Sequence, residues 1–229
     1  MGLPTHCGEP FILRIDIMIQ YFYLHGFASG VNSTKAQYFK TKFAESGYEL
    51  QILDLNLGDF STFQVSRVIE AVENIIANQP CVLIGSSLGG LISLILAENL
   101  SCIQKLILFA PALEIKRLLP QIIGEENLVL WEQTQKLAIN HIGYNQTIEL
   151  HHEFIQDLKI HPDREFIQKL PTLIFHGEYD MTIPLKVSQD YALQNTLAKL
   201  HVLPSDHSLE DSLECMWDTS SKFLFDSQD

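Results

Sequence analysis

Residues 81–90 decide the fold of this chain: they read Cys-Val-Leu-Ile-Gly-Ser-Ser-Leu-Gly-Gly, and the stretch Leu-Ile-Ser-Leu-Ile-Leu-Ala follows at residues 91–97. The opening apolar run is typical of a buried strand, and the second stretch has the length of a helix. A Gly-x-Ser-x-Gly pattern lies at their junction, which is the setting that a nucleophile elbow requires. The sequence therefore predicts that Ser87 lies on a sharp strand-to-helix turn at the carboxyl edge of a sheet. Gly85 and Gly89 would leave room where the turn crosses itself.

Strand-like and helix-like segments alternate along most of the chain. Besides the elbow, strands are predicted at residues 19–24, 48–55, 105–109, 171–177 and 198–203, and helices at residues 33–46, 61–77, 185–194 and 209–225. Regular alternation is typical of a parallel sheet with helices on both faces. The predicted fold class is α/β, with a mostly parallel, doubly wound sheet.

The alternation stops at residue 113 and resumes near residue 170. No convincing strand pattern occurs between these points, and two or three short helices are expected instead, including residues 128–139 around Trp131 and residues 152–160. Residues 113–170 are therefore predicted to form a small helical lid or cap, inserted late in the sheet. Its residues Leu128, Leu130 and Trp131 either line an acyl pocket or belong to the core.

The first residues allow two interpretations. Met18 directly precedes a strong strand pattern, so it could be the natural start, with residues 1–17 as an upstream extension. Alternatively, residues 11–15 form an edge strand. We treat residues 1–18 as an N-terminal extension of unassigned role and residues 19–229 as one domain.

Composition excludes several classes of function. A net charge of −13 over 229 residues argues against nucleic acid as the main partner, because a phosphate backbone needs a basic face. No apolar run is long enough to span a membrane, and no signal-peptide pattern is present. Cys7, Cys81, Cys102 and Cys215 lack both paired and metal-ligand spacing, which favours free thiols in a reducing compartment. We therefore expect a cytoplasmic protein without a bound metal; the sequence gives no oligomeric state.

Three polar residues follow strands that are predicted to end at one edge of the sheet. Ser87 follows the elbow strand, Asp180 follows the strand at 171–177, and His207 follows the last strand. A serine needs a base, and the base needs an orienting acid; acid before histidine is the expected order downstream of an elbow serine. We expect Ser87 as nucleophile, His207 as base and Asp180 as acid, with Asp206 as the rival acid.

Two main-chain groups are predicted to form the oxyanion hole. The N–H of Leu88 lies at the start of the elbow helix, and the N–H of Phe27 lies in the loop after the first main strand. His25 and His176 lie at strand ends beside glycine and are expected to pack at the floor of the site rather than to react. Ser86 precedes the nucleophile and is expected to face inward in a packing role.

These motifs together resemble the α/β-hydrolase superfamily. The resemblance covers residues 21–229 and rests on His-Gly-Phe at 25–27, Gly-Ser-Ser-Leu-Gly at 85–89, His-Gly-Glu-Tyr-Asp at 176–180 and His207. More narrowly, the chain is similar to the small bacterial YqiA-like esterases in His-Gly-Phe-Ala-Ser at 25–29, Ser-Thr-Lys-Ala at 33–36 and Gly-Ser-Ser-Leu-Gly-Gly at 85–90. The insertion at 113–170 is longer than the connection expected in those esterases.

The sequence therefore predicts a serine hydrolase that acts on a small carboxylic ester or thioester without a cofactor. Two alternatives stay open. The same fold and residues can serve a lyase or a carbon–carbon bond hydrolase, because a fold does not determine a reaction. A non-catalytic binding module is the other alternative.

Overall fold

The computed structural model describes residues 18–226. Its strands are β1 (Gln20–Leu24), β2 (Leu50–Leu53), β3 (Cys81–Ser86), β4 (Ile103–Phe109), β5 (Lys136–His141), β6 (Gln146–His151), β7 (Thr172–Gly177) and β8 (Ala198–Leu203). Six of them form one parallel sheet in the order β2-β1-β3-β4-β7-β8, which confirms the predicted fold class. The remaining two, β5 and β6, form a separate antiparallel hairpin.

Helices cover both faces of the sheet. They are α1 (Thr34–Glu45), α2 (Val65–Ile76), α3 (Leu88–Asn99), α4 (Ile115–Ile123), α5 (Glu125–Thr134), α6 (Glu153–Ile160), α7 (Leu185–Gln194) and α8 (Leu213–Phe225). Successive residues of a strand point to opposite faces, so Tyr21 and Tyr23 of β1 join the core under α1 and α8. Phe22 and Leu24 join the core under α2 and α3.

The elbow strand β3 and its helix α3 lie at the centre of the molecule. Every residue of β3 is buried, and so is every residue of α3 from Leu88 to Ala97. A helix that is apolar all round is stable only inside a core. Because β1, β3, β7 and β8 run parallel, the residues that follow them meet at one edge of the sheet.

The insertion between β4 and β7 differs from its prediction. It contains the hairpin β5–β6 as well as α4, α5 and α6, so the expectation of helices alone was wrong. The predicted helix at 128–139 ends at Thr134, where Gln135 adopts a left-handed backbone with φ of 62°. Beyond it, the larger apolar residues recur at every second position, at Leu137 and Ile139 on one arm and at Ile148 and Leu150 on the other, and this period of two is a strand signal.

Two helices also begin later than predicted. Asp59 accepts a hydrogen bond from the Ser61 N–H and caps a separate 3-10 turn at Phe60–Thr62, so α2 starts only at Val65. A second 3-10 turn, Glu210–Ser212, precedes α8. The expected edge strand at 11–15 lies outside the described residues, as does the extension before Met18.

Candidate active site

Ser87 occupies a strained turn between β3 and α3. Its φ of 52° and ψ of −116° fall in a region that costs a non-glycine residue about 1–3 kcal/mol. Two hydrogen bonds tie the turn to the end of β4: the Ser87 N–H donates to Phe109 O at 2.8 Å, and the Ala112 N–H donates to Ser87 O at 3.0 Å. The strained geometry of a nucleophile elbow is therefore held by its neighbours.

The two glycines of the motif are required for different reasons. A Cβ on Gly85 would lie 2.5 Å from Gly89 O and 2.6 Å from the Gly90 Cα, so the turn does cross itself there. A Cβ on Gly89 would instead lie 2.2 Å from Leu24 O. Gly89 thus lets α3 approach the end of β1, which the sequence interpretation did not foresee.

The structure brings the three predicted side chains into one hydrogen-bonded chain. His207 Nε2 lies 3.0 Å from Ser87 Oγ, and His207 Nδ1 lies 2.7 Å from Asp180 Oδ2. Since a carboxylate only accepts, the Nδ1–H donates to Asp180 and Nε2 is left to accept from Ser87.

The loops that carry Asp180 and His207 support each other. The Tyr179 N–H donates to Ser205 O at 3.0 Å, and a Cβ on Gly177 would lie 2.3 Å from Asp206 O. Lys35 Nζ donates to the Ser208 carbonyl, which ties the histidine loop to α1. Burial lowers the pKa of Lys35, opposed by the nearby carboxylates of Glu210, Asp206 and Asp180.

The Asp180 carboxylate is fully buried and well supplied with donors. Burial alone would raise its pKa, but hydrogen bonds from His176, His207 and the Ile183 N–H outweigh burial and hold the pKa of Asp180 well below its usual value. Its Oδ1 accepts from the N–H groups of Thr182 and Ile183 at 2.9 and 2.8 Å. The acid therefore stays ionised.

His176 contributes more than the packing that the sequence predicted. The side chain is fully buried, and its Nε2 lies 2.8 Å from Ile183 O and 3.2 Å from Asp180 Oδ2. Its Nδ1 lies 2.8 Å from Ser188 Oγ. Both Nε2 neighbours are acceptors, so Nε2 carries a hydrogen, and His176 helps to orient the Asp180 carboxylate.

Both predicted oxyanion donors are free for a ligand. Within residues 18–226, neither the Leu88 N–H nor the Phe27 N–H donates a hydrogen bond. The buried His25 positions the loop before Phe27: its Nε2 accepts from the Leu55 N–H at 3.0 Å, and its Nδ1 lies 2.9 Å from Gly26 O. Burial lowers the pKa of His25, in agreement with an Nε2 that accepts a hydrogen bond.

Asp206, the rival acid, and Asp54, a carboxylate in the loop after β2, both have local partners. Asp206 Oδ1 accepts from the backbone N–H and the hydroxyl of Ser208, at 2.8 and 2.6 Å. Asp54 Oδ1 accepts from the Asn56 N–H at 3.1 Å. Both carboxylates are therefore engaged with their own loops.

A second group of serine, histidine and aspartate lies between α2 and α6. Ser66 Oγ donates to the Asp157 carboxylate, and His161 Nε2 lies 2.8 Å from Ser66 Oγ. Because Asp157 holds Ser66 itself, also accepting its N–H at 3.0 Å, the group caps α2 and does not activate a nucleophile.

An apolar pocket of about 220 Å³ opens beside Ser87. The α4 residues Ile115, Leu119, Ile122 and Ile123 form one wall, and Phe154 of α6 adds to it. Leu128, Leu130 and Trp131 do not line this pocket: Trp131 is fully buried and its Nε1–H donates to Leu150 O at 2.9 Å. For Trp131 the core interpretation holds.

A larger groove of about 530 Å³, with more polar residues in its lining, also opens at Ser87, and Phe27 and His207 line both this groove and the apolar pocket. Its walls come from the first turn of α1, the loop after β8 and the tip of the hairpin, where Ile142 and Gly143 lie. Ser86, predicted to face inward, is 7% exposed and lines this groove. Ser87 thus lies between an apolar pocket and a larger, more polar groove.

Within residues 18–226, no group of three or more histidine, cysteine or acidic side chains is placed to hold a metal ion. None of the helices in this part of the chain combines the length and apolar character needed to cross a membrane.

Comparison with solved structures identifies the fold as that of the α/β hydrolases. Est1E from Butyrivibrio proteoclasticus, solved with ferulic acid, superposes with a TM-score of 0.76 at 18% identity, over 90% of this chain and 88% of its own. Mouse α/beta hydrolase domain-containing protein 10 gives a TM-score of 0.72 at 19% identity, over 89% and 88%.

The chain belongs to the uncharacterised protein family UPF0227, whose model matches residues 20–222. This match confirms the resemblance to YqiA-like proteins that the motifs indicated. A comparison with curated protein sequences gave no significant match.

Proposed function

We propose that this protein is a serine hydrolase that cleaves a carboxylic ester or thioester through an acyl-enzyme on Ser87. One observation carries the proposal: the hydrogen-bonded chain from Ser87 Oγ through His207 to the buried carboxylate of Asp180. A serine hydroxyl is a weak nucleophile until a base accepts its proton, and an oriented histidine is such a base.

The reaction runs in two halves. As Ser87 Oγ attacks the carbonyl carbon, His207 Nε2 takes its proton, and Asp180 stabilises the imidazolium. The N–H groups of Leu88 and Phe27 stabilise the oxyanion, and the alcohol or thiol leaves with the proton from His207. Water, deprotonated by His207, then attacks the acyl-enzyme, which releases the acid and restores Ser87.

The two compartments at Ser87 suggest how a small-molecule substrate lies. The apolar pocket under α4 suits an acyl chain, because burial of apolar surface is the main driving force available there. The larger, more polar groove suits the leaving group, which must lie near His207 to receive its proton. The α4 residues that line the apolar pocket support a lid role for this part of residues 113–170.

Hydrolysis by matched variants tests the proposal. Wild type, Ser87→Ala and Ser66→Ala are assayed on p-nitrophenyl butyrate and on a butyryl thioester. Ser87→Ala should fold normally and lose nearly all turnover. Ser66→Ala should retain it, although Ser66 also contacts a histidine and an aspartate.

Two outcomes would contradict the proposal. A pure, folded Ser87→Ala protein with wild-type turnover would exclude Ser87 as the nucleophile. No turnover of any ester or thioester by the wild type would favour a lyase or a carbon–carbon bond hydrolase on the same residues.

A further inference from the structure

The loop that carries the Phe27 N–H, residues 25–29, belongs to no helix or strand and needs support from its surroundings. We call it the oxyanion loop. A donor stabilises a transition state only if it is fixed before charge develops. Ala28 has a φ of 51°, a strained value that persists only where neighbours determine the backbone. The Phe27 ring is held from one side, stacked on Phe154 with ring centres 5.0 Å apart.

The other side of the loop is contacted by the tip of the β5–β6 hairpin, residues 142–145. The Gly143 N–H donates to Ala28 O at 3.3 Å. A Cβ on Gly143 would lie 2.7 Å from the Ser29 carbonyl carbon and 2.8 Å from Gly30 N. The backbone of the hairpin tip is therefore in direct contact with the backbone at residues 29–30, and only glycine fits at position 143.

A buried polar bridge reinforces this contact. Asn56 Nδ2 donates to Ser29 O at 2.9 Å, and Asn56 Oδ1 lies 3.3 Å from His141 Nε2. His141 Nδ1 accepts from the Tyr144 N–H at 3.0 Å, so its Nε2 carries the hydrogen that faces Asn56. Asn56 and His141 are both buried, which makes this link between hairpin and loop costly to break.

We propose that the hairpin tip positions the oxyanion hole, with Gly143 as the positioning residue that fixes the Phe27 N–H through Ala28 and Ser29. This inference rests on the proposed function, because it assigns Phe27 as a donor. The insertion then has two roles: α4 shapes the apolar pocket, and the hairpin holds the catalytic loop. A substitution in the hairpin tip that displaces the oxyanion loop should weaken transition-state stabilisation without weakening substrate binding.

Gly143→Ala and Gly30→Ala form the test pair. Gly30 faces Gly143 across the same contact, but a Cβ there would lie 3.8 Å from the Gly143 Cα, an ordinary distance. Loss of an oxyanion donor costs about 10²–10³ in kcat, so a displaced Phe27 N–H should cost at least about tenfold. We expect Gly143→Ala to lower kcat by that factor with KM within about twofold, and Gly30→Ala to match the wild type.

An inhibitor separates positioning from general destabilisation. A trifluoromethyl ketone adds to Ser87 Oγ and places an oxyanion in the hole, so its affinity should fall with kcat in Gly143→Ala. Circular dichroism and the unfolding midpoint establish that the variant is folded. If it does not fold, Asn56→Ala replaces it and should show the same paired loss of kcat and inhibitor affinity.

Wild-type kcat and inhibitor affinity in folded Gly143→Ala, or in Asn56→Ala if the first variant does not fold, would overturn the inference. Ser87→Ala is run beside them: if it remains active, the proposed function fails, whatever the glycine variants do.

Discussion

The apolar pocket predicts a sharp limit on acyl chain length. Its 220 Å³ holds about seven groups the size of a water or methylene at ~30 Å³ each, so chains of about eight carbons should fill it. Each methylene buried contributes about 0.8 kcal/mol, or about fourfold in kcat/KM. From butyrate to octanoate, kcat/KM should therefore rise about two hundredfold and then stop rising.

Ile123→Ala tests which wall sets that limit. The substitution removes three carbon atoms from the α4 side of the pocket, so the limit should move up by about three carbons. The assay is kcat/KM for p-nitrophenyl esters from two to sixteen carbons. Ile167→Ala is the matched control, since Ile167 is 83% exposed and does not line the pocket.

Two results would refute this reasoning about the pocket. A wild-type profile that climbs steadily through dodecanoate would show that the acyl chain lies elsewhere. A limit that stays at the same carbon number in Ile123→Ala would show that α4 does not bound it.

Three further predictions follow from the site. Gly85→Ala should abolish cooperative unfolding, because its Cβ meets backbone at 2.5 Å, whereas Gly47→Ala, with φ of 82° and open space, should fold with a lowered unfolding midpoint. His176→Phe should leave Ser188 Oγ and Ile183 O without their hydrogen-bond partner. Each buried group left unpaired should lower the free energy of unfolding by about 1–3 kcal/mol, and kcat should also fall. Asp180→Asn should lower kcat by about 10⁴-fold, because it disturbs the tautomer of His207.

The Asp180 prediction extends to stability. Its pKa is depressed in the folded state, so its ionised form stabilises the protein above the ordinary carboxyl pKa of about 4, and that contribution is lost as pH falls below it. The unfolding midpoint of the wild type should therefore drop more steeply below pH 4 than that of Asp180→Asn. Parallel curves would contradict the depressed pKa of Asp180. Cooperative unfolding of Gly85→Ala would contradict the predicted clash, and unchanged stability and kcat in His176→Phe would contradict the role of His176.

The sequence was informative where a residue's position along a strand determines its position in space. Ser87, Asp180 and His207 each follow a parallel strand, and parallel strands end at one edge, so their meeting could be predicted. The strained φ of Ser87 and the clash at Gly85 follow from the same local motif.

Features that depend on distant contacts could not be predicted in this way. The hairpin arms are half-exposed, so their alternation of apolar residues is weak, and the segment before β5 resembles a continuing helix. In the sequence, Gly143 cannot be told from any other glycine in a turn. Only the fold shows that the backbone of Ser29 lies too close for a Cβ at this position. His176 has the pattern of a buried strand residue, and only the fold places its Nε2 3.2 Å from Asp180.

The most direct measurement of the central claim is covalent labelling by a fluorophosphonate, with the adduct located by peptide mass spectrometry. Wild type and Ser66→Ala should each gain one adduct, on Ser87, and Ser87→Ala should gain none. An adduct on any other serine, or an unlabelled wild type, would contradict the assignment of Ser87 as a nucleophile activated by His207.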